Sequence, residues 1–304
     1  MTVRKIKVFL GAYINQTNAQ NLNCRSLANG LSKEQFEVYT LTIGHGDLGK
    51  VNIPGVRIFN CRYPVKMTQY FGFLWGILHC DVAYLPRGND FELQRFFVRL
   101  FKRKSFKTVE NIIDDESLTT ALAVAGTVEK AVEMYSFTDK TYSITSFMRD
   151  YNREKHGLKT NQKILPPVID TLYFQSIKKV RSNLNHLVFI GNDMKRKRVS
   201  DFIALASIFP SLSFHIIGKD NHGFLSHLLE QQELTNVIDH GMLNHNEMLA
   251  ILSRIDIHVL PSRSEGFPKG IIECACAGIP SMVYGDYGAK EWIHSMENGL
   301  VCET

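Results

Sequence analysis

Apolar positions along the chain recur with two periods. Short β-branched and apolar runs at residues 6–10, 36–42, 81–85, 108–113, 186–190, 213–218, 237–241, 255–260 and 281–284 predict buried strands, with a brief further strand at 163–165. Between them, apolar residues fall at helical spacing. Leu22, Leu27, Ala28 and Leu31 predict a helix after the first strand, and 247–254 another ahead of the run at 255–260. Strands alternating with helices predict parallel sheets with right-handed crossovers, an α/β protein. A chain of 304 residues is long enough for two such domains, each with its own core.

Two helical stretches carry more than the core needs. Residues 67–78 hold Tyr70, Phe71, Phe73 and Trp75, which suits a helix buried against the sheet or one that faces an acceptor or a membrane. Burial is the better reading, because a strand follows directly. Residues 91–106 place Phe91, Leu93, Phe96, Phe97, Leu100 and Phe101 mostly at helical spacing. Arg95, Arg99, Lys102, Arg103, Lys104 and Lys107 add positive charge along and just beyond them. A basic amphipathic helix of this kind can lie on an anionic membrane surface or serve as an ordinary cover helix with a solvated basic face.

Composition narrows the classes. Hydrophobic residues at 44% and charged ones at 21% are ordinary globular values. The net charge of +5 favours anionic ligands but is too small to argue for nucleic acid, and the four cations Lys195–Arg198 on one turn suit a phosphate better than a duplex. The six cysteines include no Cys-x-x-Cys pair, so no zinc site is expected, and they read as the reduced thiols of a cytoplasmic protein. The acidic run Asp114, Asp115 and Glu116 reads as a helix N-terminus carrying the charge that position prefers. The longest apolar stretch, 70–78, is far short of the ~20 residues that span a bilayer.

The chemistry concentrates in residues 261–280, Pro-Ser-Arg-Ser-Glu-Gly-Phe-Pro-Lys-Gly-Ile-Ile-Glu-Cys-Ala-Cys-Ala-Gly-Ile-Pro. Glu265 and Gly266 make the turn after a strand, Pro268 suits the start of a helix, and Gly278 with Pro280 suits its end. Glu273 then sits in the second turn, roughly 7–8 Å along the axis from Pro268. Between the two carboxylates lies a helix N-terminus whose free amides favour an anion. That arrangement fits a sugar nucleotide, with one carboxylate on sugar hydroxyls, the amides on the diphosphate and the deeper carboxylate on the ribose. The plainer alternative is a buried strand-to-helix junction whose glutamates cap the helix and meet solvent.

Glu-Gly-Phe-Pro, a second Glu eight positions after the first, and Ala-Cys-Ala-Gly-Ile-Pro resemble the donor site of the group 1 (family 4) retaining glycosyltransferases of the GT-B fold. The resemblance is strong from Gly191 onward and weak before it. In that family the strand at 186–190 is followed by Gly-Arg, four residues and Lys; here Gly191 and Lys197 match and Asn192 replaces the Arg, with Lys195, Arg196 and Arg198 as cations that can compensate. Further on, Tyr287 stands in for the first Gly of the family's Gly-Gly, two residues, Glu, while Gly288 and Glu291 match. Residues 166–170 have Pro-Pro-Val-Ile-Asp where the family has Pro-Asn-Gly-Val-Asp, with Ser146 expected to cap the helix before them. The loop after the first strand holds Asn18, Ala19, Gln20 and Asn21 in place of glycines.

The resemblance implies two Rossmann-like domains facing across a cleft, 1–178 on the acceptor side and 179–304 binding the donor, joined near 176–183. Family members continue for several more helices, so the second domain here is expected to lack the last helices of the fold. It implies transfer of a sugar from a nucleoside diphosphate sugar to an acceptor hydroxyl with retention, in polysaccharide or glycolipid synthesis. Glu265 would take the sugar hydroxyls and Lys197 the diphosphate, these two carrying the catalysis. Glu273 would take the ribose, with Gly191, Asn192, Gly266 and the amides of Phe267, Lys269 and Gly270 completing the donor site. No metal or cofactor is expected. The other readings are a sugar-nucleotide epimerase of the same fold and a non-catalytic sugar-nucleotide-binding relative.

Overall fold

The computed structural model describes residues 4–86, 88, 91–114, 121–169, 171–177, 183–220 and 223–303. The chain divides into two compact units, Met1–Val168 and Ile169–Thr304. The expected joint near 176–183, with Lys178, Lys179 and Arg181, falls largely outside the described residues, as do Asp115, Glu116 and Asp170.

In the first unit the strands are β1 (Ile6–Tyr13), β2 (Phe36–Ile43), β3 (Val56–Cys61), β4 (Val82–Tyr84), β5 (Lys104–Val109) and β6 (Lys140–Ser143). Its helices are α1 (Ala19–Gly30), α2 (Val65–His79), α3 (Phe91–Leu100), α4 (Ala121–Ala125), α5 (Val128–Ser136) and α6 (Ser146–His156). All the strand pairs are parallel, in the order β3-β2-β1-β4-β5-β6. The second unit has α7 (Thr171–Phe174), β7 (His186–Ile190), α8 (Val199–Ile208), β8 (Ser213–Ile217), α9 (Phe224–Gln232), β9 (Val237–Asp239), α10 (His245–Leu252), β10 (Ile257–Leu260), α11 (Lys269–Cys276), β11 (Ser281–Tyr284) and β12 (Gly299–Cys302). Its parallel sheet runs β12-β11-β10-β7-β8-β9. Numbered within its own unit, each sheet reads 3-2-1-4-5-6, the doubly wound order.

Both faces of each sheet are covered. In the first unit Cys24 and Ala28 of α1 pack on Val8, Leu10 and Val38. On the other face Phe73 and Ile77 of α2 and Val98 of α3 pack on Phe9, Tyr39 and Leu41. In the second unit α8 and α9 bring Phe202, Ile203, Ala206 and Leu225 against Phe189 and Phe214. Across that sheet, Phe174, Leu252, Cys274 and Ala277 cover Val188 and Ile217.

Several expectations need correction. The helix expected over 91–106 ends at Leu100, because Lys102 turns the chain with a φ of 48° and Lys104 already pairs with Val82 in β5. The strand expected at 108–113 is therefore Lys104–Val109. Its alternation sends Lys107 into the interior with no exposed surface, so this lysine adds nothing to a basic face. The cap of α6 is Thr145, whose hydroxyl accepts from the Met148 amide, and not Ser146. Residues 163–165 form no strand, although the Leu165 amide donates to Ser143 O and the Asn161 amide to Thr141 O. Strands β3, β6 and β12 were not anticipated; each is a short strand at one edge of its sheet. Helix α2 is buried only on its inner side, while Met67, Tyr70, Phe71 and Leu78 stay exposed.

Candidate functional site

The second sheet has its switch point between β7 and β10. From β7 the chain crosses through α8 to β8 on one side, and from β10 through α11 to β11 on the other. The two loops that leave these adjacent strands diverge at their carboxyl ends and open a crevice there. They are residues 191–198 and 261–268, the two stretches singled out from the sequence.

Close approach decides the glycines of the first loop. A Cβ on Gly191 would lie 2.2 Å from Lys197 Cδ, so the lysine stem runs across the space that a side chain would fill. A Cβ on Gly218, at the end of β8, would lie 1.9 Å from Gly191 O, and its φ of 148° suits glycine alone. The loop closes on itself through Lys197 N to Asp193 O and Val199 N to Met194 O, each 2.9 Å.

These contacts aim Lys197 at the second loop. Its ammonium donates to Glu265 Oε1 at 2.5 Å, and Glu265 is 6% exposed. Arg196 reaches the same place: its guanidinium donates to Ser264 O at 2.6 Å and lies 3.6 Å from Glu265 Oε1, while Asp193 holds its Nε at 3.1 Å. Arg198 instead pairs with Asp201 at 2.7 Å, and Lys195 is exposed. Of the three cations able to stand in for the arginine absent at 192, the structure brings only Arg196 to the carboxylate. Asn192 is exposed and accepts from the Lys219 amide at 3.1 Å.

The second loop leads into α11 through Pro268, and no side chain caps that helix. Its first turn begins at Lys269 and Gly270, so the helix-end amides face the loop there. Phe267 stands edge-on to Trp292 with ring centroids 4.8 Å apart, next to Gly266. Glu273 lies one helical turn after Lys269, and burial pushes its pKa up against the pull of that lysine. Two cations and the Glu265 carboxylate so meet beside a helix N-terminus, with Glu273 one turn further along that helix, which is a place for a ligand with phosphates at one end and hydroxyls at the other.

Two further groups border the site. His258, in the middle of β10, is fully buried; its Nδ1 lies 3.0 Å from Ser281 Oγ and its Nε2 has no partner. Burial, reinforced by the Lys197 charge, pulls its pKa down to about 3. Tyr287 is 1% exposed and its hydroxyl has no partner. The only signal of His258 in the sequence is one imidazole inside an otherwise apolar run. Tyr287 showed only as a departure from a Gly-Gly pair. Among the described residues no group of three or more His, Cys, Asp and Glu could hold a metal ion.

Two doubly wound parallel sheets in one chain are the architecture of the GT-B fold. Residues 174–304 match the family model described as "Glycosyl transferases group 1". That match covers less than half of the chain, and it makes the second unit similar to the group 1 glycosyl transferases. A glycogen synthase of Mycobacterium tuberculosis is 29% identical over 133 residues, 41% of this chain and 32% of the relative. An alpha-galactosylglucosyldiacylglycerol synthase of Streptococcus pneumoniae is 30% identical over 103 residues, 32% of this chain and 28% of the relative. The match thus spans about a third of the length of these curated relatives. Among solved structures, a sucrose-phosphate synthase from Thermosynechococcus elongatus superposes with a TM-score of 0.75 at 12% identity, over 99% of this chain and 86% of that one. The Anabaena protein HepE, solved with UDP and glucose, gives a TM-score of 0.75 at 13% identity with the same coverage. These likenesses extend the fold to the first unit.

Proposed function

We propose that this chain transfers a sugar from a nucleoside diphosphate sugar to an acceptor hydroxyl with retention, in the synthesis of a polysaccharide or glycolipid. The observation that carries the reading is the Lys197–Glu265 pair in the crevice, with Arg196 as a second cation at 3.6 Å. Without donor, the two cations neutralise the buried carboxylate. An incoming diphosphate attracts Lys197 and Arg196, and Glu265 is freed to accept hydrogen bonds from the sugar hydroxyls. The Glu273 carboxylate accepts from the ribose hydroxyls, which replace the water it lost on burial. As the bond from the anomeric carbon to the diphosphate oxygen breaks, the electron pair stays on that oxygen, while the acceptor oxygen bonds to the anomeric carbon and its proton passes to the leaving diphosphate. Lys197, Arg196 and the amides of Phe267, Lys269 and Gly270 stabilise the new charge in place, with no need of a metal. Support comes from the group 1 match over residues 174–304 and from relatives whose names are those of a glycogen and a glycolipid synthase. Neighbouring structures solved with UDP and with UDP-glucose support a nucleotide-sugar donor.

The test is a calorimetric screen of UDP-, GDP- and ADP-sugars against the protein and Glu273→Ala, followed by product analysis with and without acceptor. Tight binding of one nucleotide, weakened in the variant and followed by acceptor-dependent transfer, is expected. A new sugar nucleotide formed without acceptor would establish an epimerase. Binding without any turnover would establish a non-catalytic relative.

We propose as well that the protein works in the cytoplasm with its first unit against an anionic membrane. Gly72 and Gly76 press the inner side of α2 onto the sheet, a Cβ at Gly76 falling 2.2 Å from the Phe9 ring. The outer side carries exposed Met67, Tyr70, Phe71 and Leu78, recurring at helical spacing. Helix α3, on the same face of the sheet, leaves Phe96 and Leu100 exposed. Arg103 joins the two, donating to Ile77 O and Leu78 O at the end of α2. Residues 48–80 and 93–109 contain no acidic side chain; of their cations Arg95 is paired with Glu92 and Glu133 and Lys107 is buried, which leaves the others to set the charge there. Among the described residues no helix is long and apolar enough to cross a membrane, so the contact is peripheral. Co-sedimentation with phosphatidylglycerol vesicles, lost in Phe71→Ser and in pure phosphatidylcholine, is the expected result. Equal recovery of wild type and variant would refute it.

A further inference from the structure

Tyr287 lies in the bend between β11 and the short helical turn Ala289–Glu291. It is among the largest fully buried side chains, yet its hydroxyl meets no hydrogen-bond partner. Folded interiors leave few polar atoms so placed, because a buried hydroxyl without a partner has lost water and gained nothing in return. The ring explains the burial, since it packs in the core with Phe189, Val199 and Ala289. It does not explain the hydroxyl, which a phenylalanine would lack.

The position of the bend supplies a reason. Strand β11 pairs in parallel with β10, so its carboxyl end opens beside loop 261–268. Asp286 Oδ2 lies 3.8 Å from Arg263 Nε, which fastens the bend to that loop two residues ahead of Glu265. Burial pushes the Tyr287 pKa up, and the charges of Glu265 and Asp286 push it the same way. The phenol therefore keeps its proton at neutral pH and can both donate and accept. The charged side chains that meet on this part of the crevice cannot. Lys197 and Arg196 only donate, and the Glu265 carboxylate only accepts. A sugar hydroxyl does both, so Glu265 alone would take its proton and leave its oxygen unmet.

We propose that Tyr287 is a specificity-determining residue of the donor site, its hydroxyl donating to an oxygen of the transferred sugar next to the hydroxyl that Glu265 receives. The proposal rests on the nucleoside diphosphate sugar reading of the crevice. It adds that the sugar, and not the nucleotide, is sensed by the bend after β11.

The test is Tyr287→Phe, which keeps the ring and removes one oxygen. UDP, GDP and ADP and their glucose and galactose esters are titrated against both proteins, and ligand-free melting is followed in parallel. The bare nucleotide should bind both within about twofold, while the sugar ester should lose about fivefold to tenfold in affinity in the variant. The ligand-free melting temperature should stay or rise, because an unpaired buried hydroxyl has been removed. Equal loss for nucleotide and ester, no loss for either, or a melting point lowered by several degrees would each overturn the assignment. Failure of the wild type to bind any nucleotide or ester would instead remove the donor reading itself, and this proposal with it.

Discussion

The two units share a strand order and differ in what they do with buried charge. In the first, Lys107 is wholly buried in β5, donates to Met134 O at 3.2 Å and lies 4.9 Å from the Phe137 ring centroid. Burial pulls its pKa down to about 7. In the second, Lys197 sits at a loop, its stem laid across Gly191, and meets a carboxylate. The loop after the first strand differs in the same way. After β1 the polar residues are used locally: Asn15 bonds Ile43 N and O, Asn21 accepts from Tyr13 N, and Asn18 caps α1. After β7 the cations are aimed at the next loop. A doubly wound sheet offers a crevice at each switch point, but only side chains that reach across it make a charged site.

The sharpest way to break this comparison is to exchange the roles of the two lysines. Lys197→Ala should lower kcat/KM for sugar transfer by about a thousandfold, the scale of losing one preorganised charge partner in a transition state. Lys107→Met should leave donor binding and turnover unchanged. A Lys107→Met protein that folds but loses donor binding would show that the first unit shapes the site after all, and isothermal titration would reveal it.

A smaller effect tests how the first unit sets its outer helix. Gly76→Ala places a methyl against the Phe9 ring, inside a face that cannot relax cheaply because β1 lies directly behind it. The variant should lose about 1–3 kcal/mol of stability. Chemical denaturation reads that loss directly. An unchanged midpoint would mean that α2 is not seated by its glycines, and the exposed stripe would then have no structural reason to face outward.

Much of this was legible in the sequence because the informative signals are local. The runs at 186–190 and 281–284 return with their predicted bounds, since a short apolar run in a parallel sheet is buried on both faces and shows as such. Lys197 and the two glutamates were singled out by the family motif, and the structure pairs Lys197 with Glu265. What was not legible depends on contact. Which of Lys195, Arg196 and Arg198 reaches Glu265 is decided by Asp193 and Ser264 holding one guanidinium, and no periodicity encodes that. Lys107 looked like part of a basic helix because its neighbours in sequence are basic. A turn at Lys102 put it in a strand, where alternation, not charge, decides the face.

The last comparison is in pH. His258 has a folded value of about 3 against an ordinary 6.5, so below pH 6.5 the unfolded chain binds a proton that the folded one refuses. Its stabilising contribution is complete above pH 6.5 and is lost as pH falls toward 3, at up to about 1.4 kcal/mol per pH unit. Lys107 has a folded value of about 7 against 10.5, so the same sign operates in a different window. Its contribution is complete above pH 10.5 and is lost as pH falls toward 7. Stability curves of wild type, Lys107→Met and the double variant His258→Leu with Ser281→Ala should therefore separate. The first variant should flatten the rise between pH 7 and 10.5, and the second should flatten the acid limb between pH 3 and 6.5. The His258 variant also removes the hydroxyl that would otherwise be left without its imidazole, so a loss confined to acid would point to the histidine charge itself. If both variants changed only the height of the curve and neither its slope, the two buried bases would be shown to keep ordinary proton affinities in the folded chain. Their burial would then be relieved by motions that open each unit to water.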